Sequence, residues 1–357
     1  MKHRFAALLA ITLGAFVSGS RADPEASVLR DDETLVLFPA FAARDGQAWR
    51  FELRGWVYEP EQDDPLRAAA IGSVAAALGI ESEEAAGEVF RRRALLFLAD
   101  NERGKAVGLE LAGRRWVSPE TGANGHFRLE ARLPSEGLEP GWQPVEADPT
   151  EDGRVMRGRL HLIPAEGLSV ISDIDDTIKV TQVTDKQAMI RNTFLREFVA
   201  APGMARLYRH WAESRGAVFH FVSSSPWQLY PELEAFRRAE RFPPATYSLK
   251  SVRFKDSTFF DLFAAGSETK PGQIRPILAA YPGRRFFLVG DSGEHDPEVY
   301  GPLARERPEQ IEHVFIRDVT PEPRREQRME QIRAAFAGLP EDRWTVFRDP
   351  VTLLGAD

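Results

Sequence analysis

The chain has 357 residues, of which 43% are hydrophobic and 28% are charged, and its formal net charge is -8. This length allows two domains of ordinary size, and the composition is that of a globular protein. The negative charge argues against nucleic-acid binding, which normally shows a basic stripe, and against a polybasic membrane anchor. The absence of cysteine excludes disulfides, thiolate metal sites and a cysteine nucleophile.

The N-terminus has the pattern of a secretory signal peptide. Lys2, His3 and Arg4 precede an apolar stretch that begins at Phe5, and Ser20-Arg-Ala22 places small residues at the cleavage positions. We predict a signal peptide over residues 1–22 and an exported protein, periplasmic or secreted. The apolar stretch is shorter than the about 20 residues of a membrane span. An uncleaved anchor or an amphipathic N-terminal helix is the alternative.

Residues 23–165 are predicted to form a β-rich domain. Trp49–Arg54 and Phe127–Leu133 alternate apolar and charged residues, which is typical of strands with one solvated face. Gly55 follows the first of these strands and predicts a bulge. Further strands are predicted at Thr34–Phe38, Ala106–Leu111 and Val155–Leu162.

Two helices are predicted to interrupt this β-rich region. Pro65 fits a first helical turn, and an apolar stripe that includes Ile71, Val74 and Leu78 follows it. A second helix is predicted from about Ser82 to Leu98. The region is therefore interpreted as a β-sandwich with a helical insertion, and its role is left open.

Residues 166–357 alternate strands with helices. Strands are predicted at Val170–Ile174, Val218–Val222, Arg285–Val289 and His313–Ile316, and helices at Ala188–Val199, Pro231–Glu240, Pro271–Ala280 and Glu326–Ala337. Such alternation predicts an α/β fold with a doubly wound parallel sheet. Ligands of these sheets bind outside the carboxyl ends of the strands, so the polar residues that follow each strand are the candidates for chemistry.

An acidic motif closes the first of these strands. Asp173, Asp175 and Asp176 place three carboxylates within four residues. Their mutual repulsion is best tolerated where a cation or a reacting group compensates it. The structural alternative is a cluster that caps a helix N-terminus.

The other strand ends add a hydroxyl, a lysine and a second acidic loop. Ser223 follows the second strand, Lys270 opens a helix, and Gly290-Asp291 begins the loop that continues to Asp296. A carboxylate nucleophile, an acid/base two residues beyond it and a cation between the anions would suit phosphoryl transfer. Ser223 and Lys270 would hold the phosphate oxygens.

The predicted catalytic residues are Asp173, Asp175, Ser223 and Lys270. The predicted ligands of Mg²⁺ are Asp173, Asp175, Asp291 and Asp296. Two choices stay open: Ser224 or Ser225 in place of Ser223, and Glu294 in place of Asp296.

In order, Asp173-Ile-Asp-Asp-Thr177, Ser223, Lys270 and Gly290-Asp291 resemble the four motifs of the haloacid-dehalogenase-like phosphatases. The longer strings Ser172–Lys179, Phe219–Tyr230 and Val289–Glu298 are similar to the catalytic domain of the actin-patch-protein type of phosphatidate phosphatase, which is related to the lipins. The resemblance implies a haloacid-dehalogenase-like fold and Mg²⁺-dependent conversion of phosphatidate to diacylglycerol. It also implies that Asp173 is the nucleophile and Asp175 the acid/base.

The resemblance has two departures, which weaken the inference of substrate. Ser248–Asp256 follows the basic strand motif of the family only loosely, and Thr269 stands where a basic residue is expected. The expected partner is therefore a phospholipid or another phosphomonoester, with transient contact to a membrane surface and no nucleic acid. A phosphatase of soluble monoesters and a non-catalytic phospholipid-sensing module are the alternatives. Phe254, Phe259, Phe260 and Phe263 form either an acyl-chain groove or ordinary core.

Overall fold

A computed structural model describes residues 25–60, 65–250 and 269–355. The signal peptide predicted for residues 1–22 and the four phenylalanines between residues 254 and 263 lie outside this range, as does most of the segment 248–256. Two β-sheets and the helices around them make up the described part of the chain. None of the described helices combines the length and apolarity needed to cross a bilayer.

The first sheet contains nine strands. They are β1 (Thr34–Leu37), β2 (Ala40–Asp45), β3 (Ala48–Glu59), β4 (Asp100–Asn101), β5 (Gly108–Leu111), β6 (Arg114–Val117), β7 (His126–Pro134), β8 (Gly141–Ala147) and β9 (Arg157–Leu162). The long strand β3 pairs with β1, β4 and β7. It also pairs with β2, from which the order continues through β9, β8 and β5 to β6. The predicted alternation along β3 and β7 is confirmed, because apolar side chains on one face are buried.

The β-sandwich predicted for this region is not confirmed. Hydrogen bonds join all nine strands into one sheet rather than into two stacked sheets. Phe51 of β3 and Trp116 of β6, at the far end of the strand order, meet edge to face with ring centroids 5.9 Å apart. The sheet therefore curls around its own core.

The predicted helical insertion lies between β3 and β4. It consists of α1 (Pro65–Leu78), α2 (Ser82–Ala85) and α3 (Glu88–Leu98). The prediction of one continuous helix from Ser82 to Leu98 is wrong, because Gly87 adopts an extended conformation, with ψ 144°, and starts α3 afresh. Ile71, Val74 and Leu78 of α1 are buried, as their spacing predicts.

The second sheet contains six parallel strands. They and the intervening helices are, in chain order, β10 (Leu168–Ser172), α4 (Lys186–Phe194), α5 (Met204–Arg215), β11 (Val218–Pro226), α6 (Tyr230–Ala239), β12 (Ala245–Lys250), α7 (Lys270–Ala280), β13 (Arg285–Asp291), α8 (Asp296–Glu306), β14 (Ile311–Arg317), α9 (Glu322–Ala335) and β15 (Trp344–Phe347). The strand order is β12-β11-β10-β13-β14-β15. Strand β10, which is wholly buried, lies between β11 and β13. The predicted α/β class with a parallel sheet is confirmed.

Helices pack on both faces of this sheet. Val170 of β10 belongs to the core that also contains Leu207 of α5, whereas its neighbour Ile171 belongs to the core that contains Ile274 of α7. Neighbouring side chains of a strand point to opposite faces, so each face has its own apolar cover. The acidic residues after β10 are thus held at the edge of a rigid sheet.

The two sheets share apolar contacts and hydrogen bonds. Ala43 of β2 lies in the same core as Ile171 of β10, and the Tyr281 hydroxyl donates to the Ala42 carbonyl at 3.0 Å. The Arg284 guanidinium donates to the carbonyl of Pro164 at 2.9 Å and to that of Glu166. The chain is therefore fixed on both sides of residue 165, where the domain boundary is predicted.

The bulge predicted at Gly55 is wrong. Gly55 pairs in register with Leu37 on one side and Phe127 on the other. A Cβ at this position would overlap the Phe127 ring, which covers the glycine. Glycine is required by this cross-strand packing and not by an irregular backbone.

We predict that Gly55→Ala lowers the free energy of unfolding by about 1–3 kcal/mol, because overpacking a filled core costs that much. Gly72→Ala is the matched control, since no atom lies within 4 Å of its Cβ position in α1. That change should raise stability by about 0.5–1 kcal/mol through helix propensity. Urea unfolding measures both variants. An unchanged midpoint for Gly55→Ala would show that the Phe127 ring moves aside without cost.

Candidate active site

The candidate site lies at the carboxyl end of β10, in the middle of the second sheet. Asp173 directly follows this strand, and its amide donates to the Val289 carbonyl of β13 at 2.9 Å. Ser223 lies in β11 on one side, and Asp291 ends β13 on the other. Parallel pairing thus brings polar residues from three strands to one edge, where open α/β sheets bind ligands.

Lys270 is the centre of the first cluster. Its Nζ lies 2.9 Å from Oδ1 of Asp173, 3.0 Å from Oε2 of Glu294 and 2.5 Å from Oδ1 of Asp296. The side chains of Lys270, Asp173 and Asp296 are at most 2% exposed. Burial opposes the charge on Lys270, but the three carboxylates overcome it and raise the pKa of the lysine well above its usual range.

Asp173 has an oxygen available for a further interaction. Its Oδ2 accepts a hydrogen bond from the Thr177 hydroxyl at 3.3 Å. Its Oδ1 is close to Lys270, but the angles make no hydrogen bond, and the atom has no other such partner among the described residues. Burial raises the pKa of Asp173 well above its usual range, although Lys270 acts in the opposite direction.

Asp291 also has an incompletely bonded carboxylate. Its Oδ1 accepts from the amides of Gly293 (2.5 Å) and Glu294 (3.1 Å). Its Oδ2 is buried and has no hydrogen-bond partner in the described part of the chain. Burial, followed by the charges of Asp296 and Glu294, raises the pKa of Asp291 well above its usual range. A buried carboxylate oxygen without a hydrogen bond is costly, and a cation bound there would offset that cost.

These oxygens fit a divalent cation. Carboxylate oxygens of Asp173, Glu294 and Asp296 lie within 4.8 Å of one another, and hard cations prefer such oxygen ligands. Oδ2 of Asp291, which has no hydrogen-bond partner among the described residues, is a further donor of the same kind. Of the two residues left open by the sequence, Glu294 and Asp296, the structure brings both to Lys270.

Asp175 belongs to a second cluster with its own lysine. Its Oδ1 is 2.7 Å from Nζ of the buried Lys179 and accepts from the Thr181 hydroxyl at 2.8 Å. Its Oδ2 accepts from the hydroxyls of Ser223 (3.2 Å) and Ser225 (2.9 Å). Burial alone would raise the pKa of Asp175, but Lys179 and the hydroxyls of Thr181 and Ser225 lower it to about 2. Because both oxygens are engaged, a metal-ligand role for Asp175 stays a prediction.

Asp176 has a structural function. It adopts a left-handed conformation with φ 54°, and its carboxylate accepts hydrogen bonds from the amides of Thr181, Gln182 and Val183. Arg317 donates to the Asp176 carbonyl at 2.6 Å from the end of β14. Asp176 therefore fixes the loop that carries Asp175.

Four residues of the site were not assigned to it from the sequence: Lys179, Thr181, Arg317 and Arg328. Arg328 of α9 donates to the carbonyls of Ser292 and Glu294, both at 2.7 Å, and so holds the loop after β13. A usable signal existed for Arg317, which directly follows the predicted strand His313–Ile316. Lys179 and Thr181 lie close to Asp175 in sequence, but only the turn at Asp176 folds them back onto it.

The fold and the site define the class: an α/β domain with an acidic, lysine-compensated site at the carboxyl edge of a parallel sheet. Residues 168–318 match the family model described as phosphatidate phosphatase APP1, catalytic domain. Over these residues the chain is similar to that catalytic domain. The match includes Asp173, Asp175, Ser223, Lys270 and Asp291.

Two curated relatives show similarity to part of the chain. The chain is 37% identical over 154 residues to phosphatidate phosphatase APP1 of Saccharomyces cerevisiae, a match that covers 42% of this chain and 26% of the yeast protein. It is 29% identical over 208 residues to an uncharacterized protein of Schizosaccharomyces pombe. This match covers 56% of this chain and 34% of the Schizosaccharomyces pombe protein. The matched part is thus about a third or less of the length of these curated relatives.

We predict that Mg²⁺ raises the Tm of the wild-type protein, because a ligand bound only by the folded state stabilises by about 2.7 kcal/mol at a hundred times its Kd. In Asp291→Asn this rise should be lost, while the Tm without metal stays equal or increases, since an uncompensated buried charge is removed. Thermal unfolding with and without MgCl₂ measures both effects.

Asp318→Asn is the matched control, at the end of the adjacent strand. Its carboxylate is already bound by Arg325 (2.7 Å) and Arg348 (2.9 Å). This variant should lose stability yet keep the Mg²⁺-dependent rise. A full rise in Asp291→Asn would contradict the assignment of Asp291, and no rise in the wild type would contradict the cation site.

Proposed function

We propose that the chain is a Mg²⁺-dependent phosphomonoester hydrolase with a haloacid-dehalogenase-like, doubly wound domain over residues 166–357. The β-rich residues 23–165 form the preceding domain in this proposal. The family match of residues 168–318 and the relative named phosphatidate phosphatase support it. The observation that carries it is a pair of carboxylates, Asp173 and Asp175, each with its own buried lysine at one sheet edge.

Asp173 acts as the nucleophile. Its carboxylate oxygen attacks the phosphorus, the bond from phosphorus to the ester oxygen breaks, and an aspartyl-phosphate forms on Asp173. The Lys270 ammonium and the Thr177 hydroxyl, which both contact Asp173, orient this carboxylate. Lys270 also offsets the negative charge that accumulates as one anion approaches another.

Asp175 acts as the acid and then as the base. It gives a proton to the leaving oxygen, and in the second step it takes a proton from the water that attacks the aspartyl-phosphate. This releases inorganic phosphate and restores the Asp173 carboxylate. The pKa of Asp175 is lowered to about 2 in its pair with Lys179, so this carboxylate must leave that pair to carry a proton. The resting ion pair is the form suited to the base.

Asp173, Asp291 and Asp296, with Glu294, would hold Mg²⁺. A bound divalent cation supplies positive charge between the attacking carboxylate and the phosphate oxygens. The chain offers the oxygen donors that Mg²⁺ prefers, and two of them have free lone pairs within the described residues.

Phosphatidate is the proposed substrate, with diacylglycerol and phosphate as products. The names of the matched family and of the yeast relative support this choice. Among the described residues, the segments that could cover the site are small: Thr181–Ala200 carries α4, and residues 227–250 carry α6 and β12. An open site suits a substrate at a membrane surface, so transient membrane contact belongs to the proposal, together with export of the protein.

We predict that the wild-type protein releases phosphate from phosphatidate in mixed micelles at least about tenfold faster than from glycerol phosphate, because remote binding energy is used in the transition state. Asp173→Asn should lower the rate on both esters by a factor on the order of 10³ or more. The assay measures inorganic phosphate with MgCl₂ present. Faster turnover of glycerol phosphate would favour a soluble monoester as the substrate. No release from a broad monoester panel would favour a non-catalytic lipid-sensing module.

A further inference from the structure

The segment of residues 181–200 connects the cluster around Asp175 and Lys179 to the N-terminal region. It begins at Thr181, which binds Asp175, and it carries α4. The side-chain amide of Asn192 in α4 donates to the Thr181 carbonyl at 3.1 Å. The position of α4 therefore bears directly on the residue that holds Asp175.

The C-terminal end of α4 is held by an arginine from outside the second sheet. Arg93 lies in α3, in the helical insertion of the first sheet, and its side chain is 1% exposed. Its Nη1 donates to the carbonyls of Thr193 (2.8 Å) and Arg196 (2.7 Å). The last carbonyls of a helix have no partner within the helix, and a cation is favoured at that end.

Two acidic side chains lie beside the positive charge of the Arg93 guanidinium. Its Nε donates to Oε2 of Glu232 at 2.9 Å, and its Nη2 is 3.5 Å from Glu197. Burying an arginine is costly unless its charge is paired and its donors are used. Three hydrogen bonds and one longer ion pair of this buried guanidinium hold α3 against α4.

Phe198 provides a second route from Arg93 to the site. The guanidinium carbon of Arg93 lies 3.8 Å from the centroid of the Phe198 ring, and Nζ of Lys179 lies 4.6 Å from the same centroid. Cations are attracted to the face of an aromatic ring. Lys179 is the lysine that pairs with Asp175 at 2.7 Å. Both routes from Arg93 therefore end at Asp175.

We propose that Arg93 is a positioning residue for Asp175, so that the N-terminal region completes the active site. The inference rests on the proposed function, in which Asp175 protonates the leaving oxygen. Arg93 touches neither Asp173 nor Asp175. It acts through the segment of residues 181–200 and through the Phe198 ring.

Arg92 offers a matched control one residue away. It pairs with Glu232 at 2.9 Å and with Glu197 at 3.0 Å, as Arg93 pairs with the same two acids, but its side chain is 40% exposed. Within the described part of the chain, its hydrogen bonds go to these two acids and not to a carbonyl of α4. Arg93→Lys and Arg92→Lys therefore make the same chemical change, and only the first removes the forked contact to α4.

The decisive measurement is the dependence of kcat/KM on the leaving group. Glycerol phosphate needs a proton on its leaving alkoxide, whereas p-nitrophenyl phosphate has a leaving group that departs without one. Arg93→Lys should lower kcat/KM about tenfold on glycerol phosphate and less than about twofold on p-nitrophenyl phosphate. Arg92→Lys should leave both within about twofold. A loss of equal size on both esters, or equal effects of the two variants, would overturn the proposal.

Phe198→Leu is a second variant that leaves the arginine and its carbonyl contacts in place. It should show the same selective loss of kcat/KM on glycerol phosphate. An unchanged ratio of kcat/KM for the two esters would show that the Phe198 ring does not link Arg93 to Asp175. Amide hydrogen exchange of residues 181–200 needs no turnover: it should be faster in Arg93→Lys than in Arg92→Lys, and equal rates would overturn the proposal. A wild-type protein that hydrolyses neither ester would instead refute the proposed function, while the exchange rates still decide how Arg93 acts on this segment.

Discussion

The burial of several carboxylates at one sheet edge is the constraint on which the site depends. Asp173, Asp291 and Asp296 are almost fully buried, and each would be costly there as an isolated anion. Lys270 lies within 3.0 Å of two of them and of Glu294. One lysine compensates only part of this negative charge, and burial together with the charges of Asp296 and Glu294 raises the pKa of Asp291 well above its usual range. A site with this imbalance favours a divalent cation over an empty state.

The first two carboxylates of the acidic motif, Asp173 and Asp175, have pKa values that are shifted in opposite directions. Burial raises the pKa of Asp173, whereas Lys179 and the hydroxyls of Thr181 and Ser225 lower the pKa of Asp175 to about 2. Opposite shifts of neighbouring titratable groups are typical of sites that assign them different roles. The difference between the two pKa values depends on the left-handed turn at Asp176, which reverses the chain and brings Thr181 back to Asp175. The N-terminal region stabilises that arrangement through α3.

Much of the second sheet was predictable, because buried parallel strands give apolar runs and their ends give polar clusters. That reasoning located Asp173, Ser223, Lys270 and Asp291, which the structure places at one edge. Long-range contacts were not predictable: neither the pairing of β2 with β9 nor the contact of Arg93 with α4 leaves a periodic signal. The broken helix at Gly87 was missed because one glycine within a helical pattern is usually tolerated. The roles assigned to the site residues, and the export of the chain, stay predictions.

In the proposed reaction the Asp173 carboxylate becomes transiently bonded to phosphorus. This bond can be trapped by rapid acid quenching during turnover of a ³²P-labelled phosphomonoester, followed by peptide mapping. We expect a labelled peptide that contains Asp173 and loses its label to neutral hydroxylamine, as an acyl phosphate does. Turnover without any label on the protein, or with the label on another residue, would contradict it.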